Sequence, residues 1–121
     1  MHGGFGRDST FNNMAAAGPD FKQGYNDSLP VSNADVAPTL ARVLGLQLPA
    51  TGRLRGRVLS EALSGGPDPA AFHHGTLSSK PTPSGRATVL ECQDYQGRKY
   101  FDTASFSSAT ASSVGSTVPC K

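Results

Sequence analysis

The segment Asn33-Ala34-Asp35-Val36-Ala37-Pro38-Thr39-Leu40-Ala41-Arg42-Val43-Leu44-Gly45 constrains this chain more than any other. Asp35 is placed to accept backbone N–H bonds at a helix start, and Pro38 falls in the first turn, where its missing N–H costs little. Val36, Leu40, Val43 and Leu44 recur at i, i+4, i+7 and i+8, and Gly45 supplies a stop. The pattern predicts an amphipathic helix over 35–44 with one buried apolar face. Any fold must give that face something to pack on.

Apolar material for the purpose is scarce. Leu, Val and Phe number 10, 7 and 6 among 121 residues, and Ile is absent. That is close to the level at which chains stay disordered, although a net charge of +2 is too small to expand the chain by self-repulsion. The length allows one domain at most, and the composition predicts a compact first half with a looser second half. Lys and Arg are interspersed with Asp and Glu, six against five over 1–63 and five against four beyond, so no basic face for nucleic acid emerges. No apolar run approaches the ~18 residues of a membrane span, and no charged stretch followed by an apolar core marks a signal peptide. The compartment is left open.

Residues 23–32 are rich in Gly, Asn, Asp, Ser and Pro and predict a loop. The cluster Phe11-Asn12-Asn13-Met14-Ala15-Ala16-Ala17 suits either a short strand or one helical turn, and Val58-Leu59-Ser60-Glu61-Ala62-Leu63 suits a short helix. Residues 64–85 hold four of the nine prolines and read as a linker. Ala87-Thr88-Val89-Leu90-Glu91-Cys92 and Arg98-Lys99-Tyr100-Phe101-Asp102-Thr103, separated by a segment with Gln96-Gly97, predict a β-hairpin. Such a hairpin is marginal unless it docks on something. Residues 103–121 contain nine Ser or Thr and predict a disordered tail.

Three groups of residues invite a chemical role. Arg53, Arg55 and Arg57 crowd one glycine turn, which suits either phosphate binding or a solvated connection. His73 and His74 are adjacent, a spacing that points the rings apart, and no Cys or carboxylate accompanies them at ligand spacing. Cys92 and Cys120 allow one intramolecular bridge in an oxidising compartment, with two free thiols as the alternative.

The order of four short pieces carries a further signal. His2-Gly3-Gly4, Gly18-Pro19-Asp20-Phe21, the 33–44 segment with its Asp-x-Ala-Pro-Thr pattern, and Gly56-Arg57-Val58-Leu59 follow one another along 2–63. Together they resemble the C-terminal part of the alkaline phosphatase superfamily, in its type I phosphodiesterase and nucleotide pyrophosphatase branch. The resemblance implies an α/β fold, here the C-terminal fragment of an alkaline-phosphatase-like α/β domain over 1–63. A linker over 64–85, a β-hairpin over 86–103 and a Ser/Thr-rich tail over 104–121 would follow.

Members of that family hydrolyse phosphoric esters with two zinc ions and a Thr or Ser nucleophile, the metals activating its oxygen and neutralising charge that builds on the phosphoryl group. By correspondence His2 stands where the family has a late zinc ligand. One histidine cannot hold a zinc ion that needs three or four ligands, and the family's nucleophile and remaining ligands precede the matching segment. A truncated gene product or a start assigned too late would look like this. The expectation is a C-terminal portion of a metal-dependent phosphodiesterase or phosphatase, inactive alone, binding no zinc by itself and meeting a phosphate-ester substrate only in a complete enzyme. Its uncovered apolar faces would promote self-association. The competing readings are a small non-catalytic interaction module and a mostly disordered secreted protein.

Overall fold

The computed structural model describes residues 4–49, 52, 53 and 55–108. The chain divides into two compact units, one formed by Met1–Met14 with Ala71–Lys121 and the other by Ala15–Ala70. The first carries every strand among the described residues. β1 (His73–Ser78), β2 (Arg86–Tyr95) and β3 (Arg98–Ser108) form one sheet in the order β1-β2-β3. Both pairings are antiparallel.

The hairpin between β2 and β3 follows from its two turn residues. Gln96 and Gly97 have φ of 52° and 73°, and positive φ at both central positions gives a turn whose twist matches that of the flanking strands. Pairing runs from Tyr95 opposite Arg98 to Arg86 opposite Ser108, with an irregularity after Glu91. Glu91 faces Thr103 and Cys92 faces Phe101, so Asp102 is the extra residue of a bulge. Its carboxylate lies 3.6 Å from Arg7 Nη2 on the short helix α1 (Arg7–Thr10). The N-terminal segment lines the outer side of β3, where the Ala104 N–H donates to the Phe5 carbonyl at 2.7 Å and the Phe5 and Phe101 rings meet edge to face.

This sheet overturns the expected α/β architecture. The strands are antiparallel and sequence-local, and Ala15–Ala70 has no strand among its described residues, only an isolated bridge between Phe21 and Leu63. Residues 64–85, read as a linker, contribute β1. His73-His74-Gly75-Thr76 shows no polar–apolar alternation, so the strand exists because β2 offers it a free edge. The tail expected to be disordered from 104 includes the end of β3, and 109–121 lie outside the described residues.

In the second unit, α2 (Val36–Val43) follows one turn of 3₁₀ helix over Asn33–Asp35. A capping box starts it: Ser32 Oγ accepts the Ala34 N–H at 3.2 Å, and Asp35 Oδ2 accepts the Ser32 N–H at 2.9 Å. The expected helix over 58–63 is a single 3₁₀ turn, Ser60–Ala62. That turn is tied to the 18–22 segment, because the Lys22 N–H donates to the Ala62 carbonyl and the Ser64 N–H to the Asp20 carbonyl. Residues 11–17 form neither a strand nor a helix.

The face of α2 that the sequence placed inside is outside. Val36, Leu40 and Leu44 are 38%, 48% and 67% exposed, and Leu46 and Leu48 just beyond are also exposed. The buried helix residues are Thr39 and Ala41. Periodicity identifies which residues share a face, but nothing among the described residues of 15–70 covers this one.

Candidate functional site

The densest chemistry among the described residues is a buried polar network in Ala15–Ala70. It forms because Gly56-Arg57-Val58-Leu59 runs beside the start of α2. Asp35, 1% exposed, accepts the Arg57 N–H on Oδ1 at 2.7 Å while Oδ2 serves the capping box. One turn later, Thr39 Oγ1 donates to the Asp35 carbonyl at 2.7 Å and accepts the Leu59 N–H at 3.0 Å. Two backbone donors of the extended segment are thus satisfied by two helix side chains spaced by four, which share a helix face. Gly56 permits the approach: a Cβ there would fall on the Ala34 carbonyl.

Behind this ladder lies a charge cluster. The buried Arg57 guanidinium forks onto the equally buried Glu61 carboxylate, Nη1 to Oε2 at 2.9 Å and Nη2 to Oε1 at 2.6 Å, and Nη2 also donates to the Pro30 carbonyl at 3.2 Å. A buried ion pair needs such geometry to offset its desolvation. Asp27 completes the cluster from the 23–32 loop, its Oδ1 accepting the Leu29 N–H at 3.0 Å and the Tyr25 hydroxyl at 3.4 Å.

The two carboxyls differ in proton affinity. Burial raises Asp27, and the nearby Glu61 charge together with a hydrogen bond to Glu61 adds to the rise against the opposing pull of the Leu29 N–H and Arg57. Burial would raise Glu61 as well, but the Arg57 hydrogen bond and charge and the Asp27 hydrogen bond hold it below the ordinary carboxylate range.

The residues singled out by sequence fall elsewhere or into structural roles. Arg57 is consumed by its ion pair and is no phosphate ligand. Arg53 and Arg55 are exposed. His73 and His74 lie on β1, with His74 5.0 Å from the Phe72 ring. Cys92 is buried and disulfide-bonded, while Cys120 lies outside the described residues. His2, the zinc ligand suggested by family resemblance, also lies outside them. Among the described residues, no group of three or more His, Cys, Asp and Glu is placed to hold a metal ion.

Asp27 and Glu61 escaped the sequence reading. Their spacing of thirty-four residues carries no local signal, and the one hint was an acidic residue following an arginine by four.

No protein-family model, curated protein or solved structure matches the chain. No helix among the described residues is long and apolar enough to cross a membrane.

Proposed function

We propose that Ala15–Ala70 is a non-catalytic packing element of a metal-dependent phosphoric-ester hydrolase, with catalytic and metal-binding residues supplied from outside these residues. One observation carries this reading: two of the four family-like pieces are bonded to each other, and a third pairs with the residues that follow them. Asp35 and Thr39 of the Asp-x-Ala-Pro-Thr piece hold Arg57 and Leu59 of the Gly-Arg-x-Leu piece. Asp20 and Phe21 of the Gly-Pro-x-Phe piece pair with Ser64 and Leu63 just beyond it.

The role so assigned is architectural. Asp35, Thr39 and Arg57 all spend their polar atoms on the scaffold, which leaves them no part in phosphoryl transfer. The exposed row on α2 is the face such an element would present to the body of the enzyme. The proposal concerns this role and needs no parallel sheet within the chain.

Two measurements test it. Purified chain supplied with Zn²⁺ is expected to hydrolyse no nitrophenyl phosphodiester, and turnover by the chain alone would refute a packing role. Co-expression with a phosphodiesterase of this superfamily deleted for its own corresponding segment is expected to restore hydrolysis, and Leu40→Asp should abolish the rescue. Failure of the wild-type segment to rescue any such partner would favour the second reading, a stand-alone interaction module, for which the same exposed apolar row is the supporting observation.

A further inference from the structure

The two sides of the sheet are unlike. Alternate residues of a strand share a face, so Leu90 and Cys92 of β2 point to one side. Their cross-strand partners point with them, Leu77 and Gly75 on β1 and Ala104 and Phe101 on β3. Phe106, opposite Thr88, extends this side, and the Phe5 ring joins it at Phe101. The side is apolar and open at its rim, where Phe101 is 50% exposed and Phe106 more so. Its centre is closed. Cys92 is 1% exposed and the neighbouring Gly75 is buried, although Gly75 brings no side chain to shield the cysteine.

The sulfur indicates what closes the centre. Cys92 is disulfide-bonded, and the chain has one other cysteine, Cys120. We propose that residues 109–119 return over this side of the sheet as a strap, fastened at Cys92 by Cys120, and supply the cover that the apolar side otherwise lacks.

Reach and composition both fit that path. β3 ends at Ser108, opposite Arg86, and Cys92 lies six residues along β2 from Arg86, about 20 Å at ~3.3 Å per residue. Eleven residues separate Ser108 from Cys120, and a chain of that length reaches at most about 40 Å. The return is therefore easy, and a wide detour is not. Bridged cysteines hold their Cα atoms about 5.5 Å apart, which keeps the Cα of Val118 within roughly 13 Å of that of Cys92. Residues 109–120 carry no charged side chain, and Lys121 follows only after the bridge. Such a segment meets an apolar surface with no charge to desolvate, and Val114, Val118 and Pro119 add apolar contact. A second copy docking on the same side would meet the main chain at Cys120 first.

The test uses the whole oxidised chain. Isotope-edited NOE spectra are expected to show the Val118 methyls against the Leu90 methyls and the Phe101 ring within one chain. Dithiothreitol, which closes to its own cyclic disulfide as it converts the bridge to two thiols, should release the strap. Broadening by a soluble paramagnetic agent should then rise at Leu77, Leu90 and Phe101, by up to about twofold at the half-covered Phe101. Val89 and Tyr95, on the other side, should stay unchanged. If reduction unfolds the sheet and both sides broaden alike, the NOEs of the oxidised chain decide. Absence of those NOEs, NOEs found only between differently labelled chains, or unchanged broadening at Leu90 and Phe101 after reduction would each overturn the strap.

Discussion

Arg57 gives its backbone N–H to the Asp35 carboxylate at 2.7 Å, across twenty-two residues of sequence. The same carboxylate starts the helix through Ser32, so one side chain sets both where α2 begins and what lies beside it. Asp35→Ala is expected to destabilise Ala15–Ala70 by about 3 kcal/mol, since two hydrogen bonds to a buried charged group are worth roughly 1.5–3 kcal/mol each and two N–H groups would be stranded. Asp35→Asn keeps one good acceptor and should lose less. Urea unfolding followed by circular dichroism measures both, and an Asp35→Ala loss under about 1 kcal/mol would sink this account.

The approach of the two segments depends on Gly56. A methyl group there would meet the backbone of Ala34 and Asp35, which cannot swing aside as a side chain can. Gly56→Ala should therefore cost at least about 2 kcal/mol, in the overpacking range. Gly24→Ala is the control. Its φ is +62° but nothing lies within 4 Å of the added atom, so its cost should stay near 1 kcal/mol of backbone strain. Equal losses in the two variants would show that Gly56 is not held by contact.

The hairpin turn offers a gain rather than a loss. Gln96 holds φ of 52°, a conformation that Asn tolerates better and that the Asn-Gly pair adopts by preference. Gln96→Asn is expected to raise the stability of the sheet by about 0.5 kcal/mol, read as a higher midpoint in thermal or denaturant unfolding. Unchanged stability would mean that the turn is held by its strands alone.

These cases mark what the sequence made legible. The Gln96-Gly97 hairpin and the helix near 35–44 were visible because their signals are local: a turn pair between β-prone runs, and a capped helical stripe. The direction in which α2 faces was not, since Val36, Leu40 and Leu44 announce a shared face without saying whether the chain contains its cover. β1 was hidden because His73-His74-Gly75 looks like a linker until β2 provides an edge. The Asp27–Glu61–Arg57 cluster was hidden for the same reason as the Asp35–Arg57 bond. Each joins residues that only the fold makes neighbours.

The uncovered row on α2 predicts association. Leu40→Asp combined with Leu44→Glu should leave the stability of the unit within about 0.5 kcal/mol, as expected for exposed positions. It should also shift the chain towards monomer in sedimentation velocity, compared with the wild type at equal concentration. A wild type that is monomeric at high concentration would show that the row does not self-associate.

The bridge between Phe21 and Leu63 has a consequence in time. It joins positions forty-two apart, whereas the β2–β3 turn closes over two residues. Closing a long loop takes an entropic toll before any contact rewards it, while a hairpin zips from its turn within about 1–10 μs. The two units should mature at different speeds: the sheet can start from its own turn, and the polar ladder must wait for both ends of a long excursion to meet.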